Sequence, residues 1–252
     1  MEYNRIADIK RLDFIIATFK QHLFEGAEVL DVGCGNGIIA RGIGAQGYKV
    51  FGIDISEKAI AKAKDLTTLP NVNFGVISAE ELIAEGKKYN AVVCSEVLEH
   101  LDHPEKLLAT LYESLADDGV LIVTVPNGKG PRETLITKPM ISLQKKNNWM
   151  TSLVVKTKKI LGYKGTTIQS DADDLTHVQF FTKKTLSRLA EKSKFQIIKF
   201  GVTNFIDDVF PFSLFTKRVK VLQKIDAKVA ETLPHQCAGS FVTVWKKQMN
   251  LY

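Results

Sequence analysis

Short apolar, β-branched runs alternate along the first half of the chain with stretches whose apolar positions recur every three or four residues. The first pattern is that of a buried strand, the second that of a helix with one face on a core. The runs predict strands over Glu28 to Val32, Lys49 to Asp54, Val72 to Ile77, Ala91 to Cys94 and Val120 to Val125. The periodic stretches predict helices near Ile38 to Ala45, Glu57 to Leu66, Ala79 to Ala84 and Glu105 to Leu115, behind a leading helix over about Arg5 to Leu23. Ser56 suits the N-cap before Glu57, Pro104 suits a first helical turn, and Asp118-Gly119 reads as the turn into the fifth strand. Such alternation is the signature of stacked β-α units, an α/β fold with a parallel sheet.

After Pro126 the rhythm breaks. A helix over Lys183 to Lys192 and strands over Gln196 to Val202 and Ser240 to Trp245 follow, and Phe205 to Gly239 reads as helical with apolar and basic residues mixed. Pro139 to Leu161 reads as an irregular amphipathic helix with Met150, Leu153, Val154, Ile160 and Leu161 on one side and Trp149 near the boundary. The whole is expected to be one domain: a core over 1–126, an insertion over 127–176, and 177–252 completing the sheet.

Composition changes this picture little. The chain has 252 residues, 45% hydrophobic and 25% charged, which excludes disordered, collagenous and disulfide-scaffold classes. Cys34, Cys94 and Cys237 read as free thiols of a reducing compartment. The N-terminal stretch lacks a signal peptide's apolar run, and nothing approaches the roughly 18 apolar residues of a spanning helix, so the expectation is a cytoplasmic protein. Charge is more informative. Of the net +6, more than all comes from Asn127 to Ser170, where nine Lys or Arg face the single acid Glu133. An insertion after the fifth strand sits over the carboxyl ends of the sheet, so this segment is expected to form a lid. It is suited to lying on an anionic membrane surface and taking a lipid-linked substrate, to binding a phosphodiester backbone, or simply to staying solvated. It lacks the aromatic interleaving of a nucleic-acid surface, so nucleic acid is the least favoured partner.

The candidate chemistry begins at VLDVGCGNG, Val29 to Gly37, a strand entering a glycine-dense turn and then a helix. Such a turn lets backbone approach a nucleotide-like ligand closely, though it also occurs without one. Gly35, Gly37 and Ala40 satisfy the dinucleotide pattern, which leaves NAD in competition with S-adenosylmethionine (SAM). Asp31 separates the two: a carboxylate two residues before the first glycine repels a pyrophosphate but favours the ammonium and sulfonium of SAM. Asp54 ends the second strand, 17 residues beyond Gly37, and is placed to bind ribose hydroxyls in either case.

With GIDIS from Gly52, VISAEEL from Val76, VVCSEVLEHL from Val92 and LADDGVLIVTVPN from Leu115, the chain resembles class I SAM-dependent methyltransferases from about Arg11 to Val202. The resemblance implies a Rossmann-like sheet of seven strands, the last antiparallel, with SAM across the carboxyl ends. It implies that Gly33, Gly35 and Gly37 line the cofactor, that Asp54 binds the ribose with Ile55 beside it, and that Ala79 meets the adenine through its backbone. Ser78 stands where the family often has Asp.

Glu96, Glu99 and His100 fall at i, i+3 and i+4, so a helical SEVLEH would present them on one face beside the cofactor. Two carboxylates and an imidazole there suit either a hard metal or a base with an orienting acid, and both serve methyl transfer to oxygen. The alternative is a short solvated helix without chemistry. This stretch, with Arg11-Leu12 upstream, is similar to the ubiquinone-biosynthesis O-methyltransferases, which implies that Arg11 meets the SAM carboxylate and Ser95 touches the cofactor. The acids and histidine also resemble the magnesium set of small-RNA 3′-terminal 2′-O-methyltransferases, which implies His177 as a fourth ligand beside Glu96, Glu99 and His100. His103, before Pro104, reads as a turn residue. The expected activity is O-methylation of a small hydroxylated or lipid-linked acceptor by SAM, with His100 and Glu99 catalytic and magnesium or manganese as a further cofactor. RNA 2′-O-methylation and a non-catalytic SAM-binding role are the alternatives.

Overall fold

The computed structural model describes residues 5–83, 86–139, 177–207, 209, 212–216 and 219–248. Seven strands pair into one sheet: β1 (Glu28–Val32), β2 (Lys49–Asp54), β3 (Val72–Val76), β4 (Tyr89–Ser95), β5 (Leu115–Pro126), β6 (Phe195–Val202) and β7 (Ser240–Lys247). Their order is β3-β2-β1-β4-β5-β7-β6. The neighbours from β3 to β5 are parallel, and β7 runs antiparallel to both β5 and β6. This is the Rossmann-like, mostly parallel sheet with an antiparallel last strand that the sequence implied. Strands β1 and β4 are buried along nearly their whole length because both faces of a parallel sheet are covered.

One face buries Ile15 and Phe19 of α1 (Ile6–His22), Ile39 and Ile43 of α2 (Ile38–Gly44), and Ile60 and Ala63 of α3 (Glu57–Asp65) against Val29, Val93 and Ile122. The other buries Leu82 of α4 (Ala79–Ile83), Leu108 and Leu111 of α5 (Pro104–Ser114), and Leu186 and Ala190 of α6 (Lys183–Lys192) against Leu30, Val92 and Val123. Two buried layers lock the strands in register, which holds their carboxyl ends as a rigid platform. Ser56 caps α3 by accepting from the Ala59 amide at 3.2 Å, and Pro104 opens α5.

Three expectations need correction or restriction. Asp118 and Gly119 are not a turn: they lie within β5, whose pairing with β4 shifts register between Tyr89 and Ala91 and so absorbs them. A bulge takes up extra residues without ending a strand. SEVLEH is not a helix either; only Leu98–His100 makes a single 3₁₀ turn. The amphipathic helix expected over Pro139 to Leu161 lies, apart from Pro139, outside the described residues. Among the described residues no helix is long and apolar enough to cross a membrane. The connection from β6 to β7 contains α7 (Phe212–Thr216) and α8 (Lys220–Thr232).

Candidate functional site

At the carboxyl end of β1 the chain turns through Gly33, Gly35 and Gly37 at φ of +67°, +53° and +75°. Left-handed backbone disfavours any Cβ. Two of these sites are also closed sterically: a Cβ on Gly33 would sit 2.5 Å from a Val97 methyl, and one on Gly37 would enter the Phe74 ring. The turn is pinned to β2, because Asp54 Oδ2 accepts from the Gly35 amide at 3.0 Å and Cys34 N–H donates to the Ile53 carbonyl at 3.0 Å. Asp54 Oδ1 accepts from the Ser56 amide at 2.9 Å. Each oxygen keeps a further lone pair for a ribose hydroxyl. Ile55 beside it is 80% exposed.

Asp31 sits beneath this turn with 1% exposure. One oxygen has no hydrogen-bond partner. Burial above all, then the charge of Asp54, pushes its pKa up to about 7, against a modest opposing pull from the Ala40 amide. A buried carboxylate left half-unsatisfied is costly to the fold, and a cation would relieve it.

On β3's side, Ser78 and Glu81 cap α4 reciprocally. The Glu81 amide donates to Ser78 Oγ at 3.2 Å, and Glu81 Oε2 accepts from the Ser78 amide at 2.8 Å. Ala79 follows, buried. The Ser78 hydroxyl thus takes part in a helix start and keeps a further lone pair and its own hydrogen.

Beyond β4 the acidic residues divide. Glu96 takes φ +58°, rare for a residue with a side chain. Its carboxylate accepts from Thr124 Oγ1 at 3.0 Å and pairs with Arg11 at 3.4 Å, while Ser95 and Thr124 share a 2.8 Å hydroxyl contact. Arg11 also reaches Asp8 at 3.6 Å. Glu99 goes the other way. It is 1% exposed, and neither carboxylate oxygen has a hydrogen-bond partner. Burial first, then the charge of Glu96, holds its pKa well above the usual carboxylate range, although Arg11 pulls against them. Its carbonyl accepts from the Val178 and Gln179 amides at 2.8 and 2.9 Å, which clamps the segment carrying His177 against it.

Glu99, His100 and His177 then converge, each offering a ligand atom within 4.8 Å of the others. The two imidazoles meet edge to face at 5.2 Å. Glu96 stands outside this set. In its place is a residue that sequence reasoning left without a role, Glu133, 1% exposed, whose Oε1 lies 3.3 Å from His177 Nδ1. That is ion-pairing distance. Burial pushes the pKa of Glu133 up, but His177 first, joined by the charge of Arg132 and the Thr137 hydroxyl, outweighs it and holds the group below its usual range. The signal for Glu133 was present: it is the single acid among nine basic residues. His103, read from the sequence as a turn residue, is the N-cap position of α5 and contacts Glu105 at 3.1 Å on its exposed start.

A family model described as "Methyltransferase domain" matches residues 3–199. The chain belongs to the methyltransferase-domain family. Among curated relatives it is 32% identical over 120 residues to the ubiquinone biosynthesis O-methyltransferase of Rickettsia bellii, covering 46% of this chain and 50% of that one. It is 34% identical over 119 residues to the mitochondrial ubiquinone biosynthesis O-methyltransferase of Schizosaccharomyces pombe, covering 45% and 43%. The chain thus spans about half the length of the curated relatives it matches. Among solved structures, the magnesium protoporphyrin IX methyltransferase of Synechocystis with bound SAH superposes with a TM-score of 0.57 at 18% identity, over 96% of this chain and 84% of that one. The methyltransferase-domain chain therefore carries the class I SAM-dependent methyltransferase fold, with its glycine turn at the open end of that sheet.

Proposed function

We propose that this protein transfers the methyl group of SAM to a hydroxyl of a small or lipid-linked acceptor. The observation that carries the reading is the unsatisfied oxygen of buried Asp31 under a left-handed glycine turn, with Asp54 beside it. Two acids at the end of β1 and β2 repel a pyrophosphate and suit a cationic nucleoside without phosphate. In this reading Gly33, Gly35 and Gly37 line the cofactor, Asp54 with Ile55 holds the ribose, and the Ala79 backbone with Ser78 meets the adenine. Arg11 and Ser95, linked through Glu96 and Thr124, hold the amino-acid end of SAM.

Methyl transfer is an in-line displacement at the sulfonium carbon, so most of the acceleration comes from holding nucleophile and methyl in line, with a base to take the hydroxyl proton. His100 is that base, with Glu99 Oε1 3.8 Å from its Nε2. The same pocket suits a divalent cation: Glu99 brings two buried carboxylate oxygens that lack hydrogen-bond partners, and His100 and His177 each bring an imidazole within reach of them. When bound, magnesium or manganese would lower the pKa of the acceptor hydroxyl. Glu133 orients His177 in either case.

Titration calorimetry should detect SAM and S-adenosylhomocysteine, and labelled methyl from SAM should appear on a hydroxylated metabolite of an extract. Tight NADH binding with no heat from either SAM or its product would end the reading. Glu133→Gln should lower turnover by roughly 10–100-fold with SAM affinity nearly unchanged, as for a residue acting through an oriented histidine. An unaltered rate would remove Glu133 from the site.

A further inference from the structure

The connection between β6 and β7 carries an apolar face that nothing in the described fold covers. On α8, Gln223, Asp226, Ala227 and Ala230 pack inward. On its outer side Val221, Leu222, Ile225 and Val229 remain 63%, 41%, 53% and 37% exposed. Spacing by four places Val221, Ile225 and Val229 in one row along the helix. Phe212 and Phe215 of α7, 53% and 64% exposed, extend the apolar surface, and the Gln223 side chain ties α8 to α7 by donating to the Thr216 carbonyl at 2.7 Å. Contiguous exposed apolar surface of this kind marks an interaction site.

The charge beside it identifies the occupant. Lys220, Lys224 and Lys228 form a second exposed row directly alongside the apolar one. The two acids of α8 are engaged elsewhere: Asp226 accepts from the Phe205 and Ile206 amides at 2.8 Å each, and Glu231 pairs with Lys10 at 2.7 Å. Aliphatic residues flanked by a cationic row on a helix are suited to the boundary between acyl chains and anionic headgroups, with the lysine stems lying along the apolar surface and their ammonium groups reaching outward.

Topology places this face near the candidate site. Val202, the end of β6, pairs with Phe241, and Pro126, the end of β5, pairs with Ser240. The whole connection therefore stands at the carboxyl edge of the sheet, the edge that also carries the glycine turn and Glu99. It is fastened to the helix bearing Arg11, since the Ile6 amide donates to Gln223 Oε1 at 2.8 Å and Lys10 Nζ to the Ala227 carbonyl at 3.0 Å.

We propose that the outer face of α8, with Phe212 and Phe215, docks the protein on an anionic lipid surface and turns the open edge of the sheet toward it. This gives a purpose to the lipid-linked form of the acceptor, but it is tested without any acceptor or SAM, so it stands or falls apart from the methyl-transfer reading. The experiment is flotation of the full chain with vesicles of phosphatidylcholine, with and without phosphatidylglycerol, across a salt series. Flotation should require phosphatidylglycerol and weaken as salt rises. Ile225→Asp should reduce it by about tenfold, and the combined Lys220→Glu, Lys224→Glu and Lys228→Glu variant by roughly a hundredfold, given the worth of each cation near an anionic surface. These side chains are exposed, and circular dichroism should show both variants folded as the parent. The proposal is overturned if the parent does not float, if both variants float as it does, or if the parent is a dimer in solution that Ile225→Asp converts to monomer.

Discussion

Asp31→Asn is expected to raise the thermal stability of the ligand-free protein at pH 8 while abolishing stabilisation by SAM. Asp31 is fully buried, with its pKa raised from 3.8 to about 7. In the unfolded chain it ionises near its ordinary value, so the folded state binds the extra proton between those limits. Stability from this group is therefore greatest below about pH 4, declines as pH rises toward 7, and is lowest above 7, where the folded state holds a buried charge. Removing that charge should contribute on the order of 1–3 kcal/mol at pH 8, less than the full shift implies because the amide leaves its own unpaired hydrogens. For a chain of this size that corresponds to several degrees in melting temperature. The decisive quantity is the difference in melting temperature between Asn and Asp forms, which should shrink toward zero near pH 4. A difference independent of pH would show that Asp31 is not the group titrating. A cation beside Asp31 favours its ionised form, so SAM affinity of the parent should fall below pH 7, by at most roughly tenfold per pH unit, and in the Asn form it should lose this dependence along with most of its strength.

His100→Ala should reduce turnover by roughly 10²–10⁴-fold, the usual worth of a positioned base, while SAM affinity stays nearly intact. The split follows from position. His100 lies past β4 on the 3₁₀ turn with Glu99 and opposite His177, whereas Asp31, Asp54 and the glycine turn belong to β1 and β2. Calorimetry and initial rates on the same preparation check both halves. A near-normal rate would transfer the role of base to His177, the other imidazole of the pair.

The parallel core was legible because both of its signals are local: buried strands are continuous apolar runs, and the helices between them repeat at 3.6 residues. Strand ends moved by a residue or two except at β5, which starts at Leu115 rather than Val120 and so takes in Asp118-Gly119; a register shift is a property of two strands and cannot be read from one. The acidic site was legible in composition and not in geometry. Spacing put Glu96 on one face with Glu99, but the positive φ at Glu96 turns its carboxylate to Arg11 and Thr124. A left-handed residue at the end of β4 is something no helical period encodes. Glu133 was visible as an isolated acid, yet its approach to His177 spans more than forty residues, most of them outside the described chain. The mixed apolar and basic pattern of Phe205 to Gly239 was noticed but unassignable, because sequence alone does not say which apolar residues of an amphipathic helix go unburied.

The position of β7 has a consequence for biogenesis. It lies between β5 and β6, and β6 has no other neighbour. As the polypeptide leaves the ribosome, β6 emerges with nothing to join, and one margin of β5 stays open until the segment starting at Ser240 has been made. An open apolar margin invites pairing with another chain. Nascent copies should therefore depend on holding factors until the closing hairpin slots in, and a stop codon before residue 240 would leave the sheet two strands short.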